Sequence, residues 1–257
     1  MSVPEVSEST IIDALIAVGL QPGDDLLVHS ALQFLGRPIG GIGMYLDALR
    51  AVIDDTSTIA VPTFNFAFAR GEDYDPLTTP SDGMGVFSEY VRQLPDARRT
   101  AHPMQSFAFA GPLASELAAL DRPGAFDDGS TFDHILALDF KLLLLGATIQ
   151  AASVVHYSEQ RANVPYRYWK DFTGRIKRDG DWGKHTYRMF VRDLEKDPQL
   201  TLAPVQDALQ INGKWREQSV NYGSIAVCGL ADFVSTTDQL LAADPWALVA
   251  NRRAVEK

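Results

Sequence analysis

The chain has 257 residues, 46% hydrophobic and 22% charged, with a net charge of −10. This suits a soluble globular protein with a sizeable core, in one large domain or two small ones, and gives no run near the roughly 20 apolar residues of a membrane helix. The acid excess argues against nucleic acid as partner, because phosphate contacts demand a basic surface, whereas it suits a cationic small molecule or plain solubility.

Taken in order, Ser7 to Gly19 predicts a helix with Ser7 as cap, Ile11, Ile12, Leu15 and Ile16 on one face, and Gly19 as stop. Leu26-Leu27-Val28-His29-Ser30 reads as a short buried strand. A glycine-rich loop through Gly40, Gly41 and Gly43 follows, then an amphipathic helix carrying Tyr45, Leu46, Leu49 and Val52. Strand, glycine-rich loop and helix offer backbone amides to a phosphate, but the spacing fits neither the P-loop nor the dinucleotide fingerprint. Thr58 to Phe64 is a strand. The long loop from Asn65 to Gly83 carries Glu72, Asp73, Tyr74 and Asp75, either a seat for a polyamine or amino sugar or a solvated loop. Helices are expected over 86–94, 113–120 and 132–138, with a strand over 106–111.

Lys141 to Gly146 holds four consecutive leucines ended by glycine, a strand buried on both faces and closed by a turn. Ser153, His156 and Glu159 follow it. In a helix they recur every third residue along one side. A hydroxyl, an imidazole and a carboxylate behind a buried strand is where open α/β sheets put chemistry. A helix cap followed by an exposed His and Glu is the plainer reading, and spacing does not separate the two.

Beyond Lys170, Phe172 to Arg178 and Thr186 to Val191 read as an antiparallel hairpin turned at Asp179-Gly180. A helix over 205–211, a strand over 223–227 and a helix over 236–250 interrupted at Pro245 complete the chain. The fold class is α/β. We expect a single domain over 1–257, with a central mixed sheet flanked by helices and a mainly antiparallel C-terminal portion. The single cysteine, Cys228, excludes an internal disulfide and reads as buried and structural. With no signal-peptide pattern at the amino terminus, the expected compartment is cytoplasmic.

Several stretches in order carry a family resemblance: Leu27-Val28-His29-Ser30-Ala31-Leu32, Gly40-Gly41, Val61-Pro62-Thr63-Phe64, Thr79-Pro80-Ser81, Met84-Gly85, Arg99-Thr100-Ala101-His102-Pro103 with Ser106-Phe107, Leu143-Leu144-Leu145-Gly146, Ser153 to Glu159, and Asn163-Val164-Pro165-Tyr166-Arg167. On these the chain resembles the aminoglycoside 3-N-acetyltransferase family, antibiotic acetyltransferases that use acetyl-coenzyme A and lack the GNAT motif. The resemblance implies that His156 takes a proton from the acceptor amine, and near-neutral imidazole chemistry suits that task. It implies that Glu159 orients the histidine or holds an ammonium group, and that Ser153 lies near the thioester carbonyl. Relatives often place asparagine where this chain has Ala152. His29 lies in a matched motif and is a further catalytic candidate, against the alternative of a satisfied buried histidine. Ser30, Ala31, Leu32, Gly40, Gly41, Thr63, His102, Ser106 and Phe107 are the expected coenzyme-binding positions. Glu72, Asp73, Asp75 and Glu159 are the expected substrate carboxylates.

The implied reaction is transfer of an acetyl group from acetyl-coenzyme A to a small-molecule amine, with no metal, nucleic acid or membrane involved and a homodimer left open. His156-x-x-Glu159 alone is too little for a metal site. A nucleotide-linked or natural-product amino sugar is the alternative acceptor, for which Arg161, Arg167 and Lys170 offer a basic patch. A non-catalytic acyl-coenzyme A or sugar-binding protein is the alternative of another class. Phe34, Phe64, Phe66 and Phe68 would shape an acyl pocket or, at alternating positions, pack the core.

Overall fold

A computed structural model describes residues 3–252. In chain order the elements are β1 (Glu5–Val6), α1 (Glu8–Ala17), β2 (Leu26–Ser30), β3 (Arg37–Pro38), α2 (Gly43–Ile53), β4 (Ile59–Pro62), α3 (Val86–Arg92), β5 (Arg98–Arg99), β6 (Phe107–Ala110), α4 (Ala114–Ala118), α5 (Thr131–Ala137), β7 (Lys141–Leu145), α6 (Val155–Arg161), β8 (Arg167–Arg178), β9 (Asp181–Arg192), α7 (Ala203–Ile211), β10 (Arg216–Val220), β11 (Gly223–Gly229) and α8 (Leu230–Ala243). Seven strands form the central sheet in the order β10-β11-β7-β2-β4-β6-β5. β7, β2 and β4 run parallel at its centre, and the strands beyond them pair antiparallel. The expected mixed α/β class is observed.

Successive strand residues point to opposite faces, so the leucine run divides between two cores. Leu27, Leu142, Leu144 and Ala226 face α4 to α8. Leu26, Val28, Leu143, Leu145, Ile225 and Val227 face α1, α2 and α3. The parallel strands are thereby covered on both sides, which is why they read as unbroken apolar runs. At the end of β7 the chain turns at Gly146, with φ of 75°. A Cβ there would stand 2.6 Å from the Ala31 carbonyl oxygen, so only glycine lets β7 close against the end of β2.

β8 and β9 form a separate hairpin of 12 residues per strand, longer than the sequence pattern suggested. The Asp179-Gly180 turn is as expected, with positive φ at both residues. Phe68, Tyr74, Met104, Ile176 and Tyr187 form a small core beneath the hairpin. The last helix is a correction. It runs Leu230–Ala243 rather than over 236–250, because the residue before a proline avoids helical backbone and Asp244 is extended ahead of Pro245. Among the described residues no helix is long and apolar enough to cross a membrane.

Candidate active site

Because β2, β4 and β7 are parallel, their carboxyl ends at Ser30, Pro62 and Leu145 share one edge of the sheet. β2 lies between β4 and β7, so the chain leaves it toward one neighbour and the other arrives on its far side. That is the switch point where open α/β sheets bind ligands. The expected His29, Ser30, Thr63, Ser106 and Phe107 all lie at this edge. The amino end of α3 also comes there, with Gly85 against the Ser30 carbonyl.

After Gly146 a 3-10 turn at Ile149–Ala151 leads into α6. Val155 and Tyr157 anchor α6 in the core, which leaves the His156 side chain 29% exposed and the Glu159 side chain with no exposure. His156 Nδ1 and Glu159 Oε2 are 2.6 Å apart. Their spacing of three residues is what brings them together on one helical face. Ser153 stands outside the helix. Val154 is the N-cap residue and makes no side-chain cap, while the Ser153 Oγ is buried and unpartnered in the structure. The cap reading of Ser153 is therefore corrected.

The start of β8 completes the cluster. Arg167 Nε lies 2.9 Å from the same Glu159 Oε2, with the arginine side chain 9% exposed. The buried Tyr166 hydroxyl also faces this carboxylate, which with burial raises the tyrosine's pKa. Burial pushes the Glu159 carboxyl up, but the hydrogen bond from His156 and the charges of His156 and Arg167 outweigh it and hold the group below its ordinary value. An ionised carboxylate only accepts hydrogen bonds, so Nδ1 of His156 donates, and in the neutral ring Nε2 then carries the lone pair. The Phe126 ring packs edge-on to His156 at 6.4 Å.

His29 and His102 are both buried, and burial lowers the pKa of each to about 4. The Nε2 of each lacks a protein partner. His102 Nδ1 accepts from the Gln105 amide, and its ring packs at a tilt of 58° against Tyr187. Both are neutral at pH 7. The unfolded state binds their protons from about pH 6.5 downward and the folded state only near pH 4, so each costs stability on acidification. The loss begins near pH 6.5, grows to roughly 3 kcal/mol per histidine and levels off near pH 4. Urea denaturation at pH 7.5, 6 and 5 should show this fall, and His102→Gln should make it shallower. A variant curve parallel to the parent's would contradict neutral burial.

Thr63 and Ser106 lie inside this edge of the sheet. Both are fully buried, and Arg99 Nε donates to the hydroxyls of Thr63 at 3.0 Å and Ser106 at 3.1 Å. Arg99 thereby ties the ends of β4 and β6 together. Leu32 and Phe107 are likewise core residues, whereas Ser30 and Ala31 are half-buried at the rim. Gly40 and Gly41 are exposed, with positive φ, just before α2. That 11-residue helix has neither a capping side chain nor an acidic residue in its first turn.

The acidic loop goes elsewhere. Asp73 pairs with Arg175 at 3.0 Å and the buried Asp75 with Lys177 at 3.3 Å, both on the hairpin, while Glu72 is exposed. The Tyr74 backbone amide donates to the Arg175 carbonyl, so the loop runs beside β8. Phe64 and Phe68 are core, but Phe34 and Phe66 are 47% and 37% exposed. Cys228 is free and buried, with its thiol pushed up to about 12. Among the described residues no group of three or more His, Cys, Asp or Glu is placed to hold a metal ion. Sequence reasoning gave Arg167 to an anion patch and passed over Phe126. The nearness of Arg167 to Glu159 had one signal, its place in the Asn163 to Arg167 motif directly after α6.

The family model described as Aminoglycoside 3-N-acetyltransferase matches residues 27–242. The chain belongs to the aminoglycoside 3-N-acetyltransferase family. Aminoglycoside N(3)-acetyltransferase III of Salmonella sp. is 32% identical to it over 196 residues, 68% of each chain. A second Salmonella sp. enzyme of that name aligns over 63% of its own length. Among solved structures, the apoenzyme of aminoglycoside acetyltransferase AAC(3)-IVa superposes on this family member with a TM-score of 0.80 at 26% identity, covering all of this chain and 98% of its own. A histidine-to-alanine variant of that enzyme, in complex with a gentamicin, gives the same TM-score over 99% and 95%. AAC-IIIb in a binary complex with CoASH shares the fold, with a TM-score of 0.81 at 19% identity over 93% of this chain and 97% of its own.

Proposed function

We propose that this protein transfers an acetyl group from acetyl-coenzyme A to an amine of an aminoglycoside-type substrate by direct attack in a ternary complex. The observation that carries the reading is the His156–Glu159 pair behind β7, in a chain of this family. Acetyl-coenzyme A, when bound, supplies a thioester carbon open to nucleophilic attack. An ammonium cannot attack it. With Nδ1 held by Glu159, Nε2 of His156 accepts a proton from the acceptor nitrogen. The N–C bond forms, the C–S bond breaks, and the imidazolium returns its proton to the departing thiolate. Ser153 Oγ, unpartnered beside α6, is the donor we assign to the developing oxyanion. The exposed Gly40-Gly41 turn and the uncapped amino end of α2 suit the coenzyme pyrophosphate.

A nucleotide-linked amino sugar needs cations for its phosphates. Arg167 is engaged by Glu159 and the Phe190 carbonyl, Arg161 donates to the Tyr157 hydroxyl, and Lys170 lies over Phe172. These commitments count against that acceptor. Thiol release from acetyl-coenzyme A should therefore be rapid with a panel of aminoglycosides and absent with nucleotide-linked amino sugars. Turnover of the sugars alone would overturn the acceptor assignment.

A further inference from the structure

A base that cycles between imidazole and imidazolium beside a buried carboxylate poses an electrostatic problem. The carboxylate must stay ionised while His156 is neutral, yet it must not bind the imidazolium so tightly that the proton never leaves. Burial works against the first requirement, because a solitary carboxyl out of water takes up a proton. A strong lone His–carboxylate ion pair works against the second.

The geometry places one cation to meet both. Arg167 Nε and His156 Nδ1 converge on a single oxygen, Glu159 Oε2, at 2.9 and 2.6 Å. The arginine is itself pinned, since Nη1 donates to the Phe190 carbonyl at 3.1 Å. Other charged groups near α6 have other partners: Asp133 of α5 accepts from the Tyr157 hydroxyl, and Asp128 and, on α8, Asp238 act on Arg161. On the 121–130 loop, Asp127 meets Gln160 and Arg188, while the Phe126 ring faces His156. On α6, Arg161 is engaged by Tyr157. Tyr166 presents an un-ionised hydroxyl. Arg167 is thus the cation that the pair meets from outside α6.

We infer that Arg167 is a positioning residue for the acetyl transfer, fixing Glu159 as an ionised acceptor for His156 Nδ1 and disfavouring an added proton on the His156–Glu159 pair. The inference rests on the reading of His156 as the base. Arg167 acts through Glu159, and its permanent positive charge disfavours any proton added to the pair. Without it, the pair holds its proton up to higher pH.

The test compares Arg167→Met and Arg167→Lys with the parent, using one acceptor throughout so that the acceptor's own titration cancels. In Arg167→Met the acid limb of the kcat profile should move up by about 1–3 pH units, the size by which an adjacent charge moves a pKa. Activity should recover at alkaline pH, with the KM for acetyl-coenzyme A unchanged. Arg167→Lys keeps the charge without the planar fork, and should hold the limb nearer its parental position. It also serves if the methionine variant does not fold. Nitrogen-15 NMR of His156 in the substrate-free proteins supplies a readout independent of turnover. The parent should show the Nδ1–H tautomer, and Arg167→Met a raised titration midpoint. A raised midpoint without acetyl transfer in any protein would keep the inference about the pair while removing the acetyl-transfer reading. A variant that loses thermal stability while its pH limb and His156 midpoint stay parental would make Arg167 merely structural and overturn the inference.

Discussion

His156→Ala should lower kcat by roughly 10²–10⁴-fold, the range for loss of a positioned general base. The expectation follows from where the ring sits. One nitrogen is spent on Glu159, and the side chain is 29% exposed, so the ring is not sealed in the core. The loss should shrink as pH rises, because a larger share of the acceptor amine then arrives deprotonated and needs no base. KM for acetyl-coenzyme A should stay near parental, since the pyrophosphate is assigned to the loop before α2 and not to α6. Glu159 keeps Arg167 as its partner in this variant, so the protein should still fold. Steady-state kinetics from pH 6.5 to 9 with one good aminoglycoside acceptor would decide it. Full turnover at pH 7 would remove the mechanism.

What the sequence made legible follows from burial. The leucine run of β7 and the apolar stretch of β2 needed no tertiary knowledge, because strands covered on both faces are apolar at every position. His156 and Glu159 were also readable, since helical spacing alone brings residues three apart together. Elements without a core face were harder. β10, Arg216–Val220, is an edge strand with four of its five residues exposed, and its polar sequence carries no strand pattern. The start of β8 at Arg167 to Asp171 is likewise exposed along most of its length, so the hairpin looked shorter than it is. α8 begins directly at the end of β11, after Gly229, with no side-chain cap to mark it. Long-range ion pairs were the least visible. Nothing local tells that Asp73 and Asp75 meet Arg175 and Lys177, some hundred residues on, so the loop's bracing of the hairpin could not be read from its own sequence.

The same physics sets the second large effect. Glu159→Ala should cut kcat and should also destabilise the fold by about 3–5 kcal/mol, the usual cost of removing one member of a buried ion pair. The carboxylate is fully buried, and Arg167 is nearly so, leaving the guanidinium charged without its counterion. Catalysis fails for a separate reason, because Nδ1 loses the acceptor that keeps its proton in place. The pH dependence carries a sign. Burial alone would raise the carboxyl's pKa, yet His156 and Arg167 hold it below the ordinary value. The pair's contribution is therefore present above the unfolded pKa of about 4.3 and is lost only as pH falls through the lower folded value. The parent and Glu159→Ala should then converge in stability in acid and differ most at neutral pH. A double variant, Glu159→Met with Arg167→Met, separates the two roles. Replacing both charges by apolar side chains of similar length should recover most of the lost stability while leaving turnover low. Urea denaturation of the parent, the single variants and the double variant forms a closed cycle. A Glu159→Ala protein as stable as its parent would mean that Arg167 finds another partner or solvent, and that the carboxylate serves the imidazole alone.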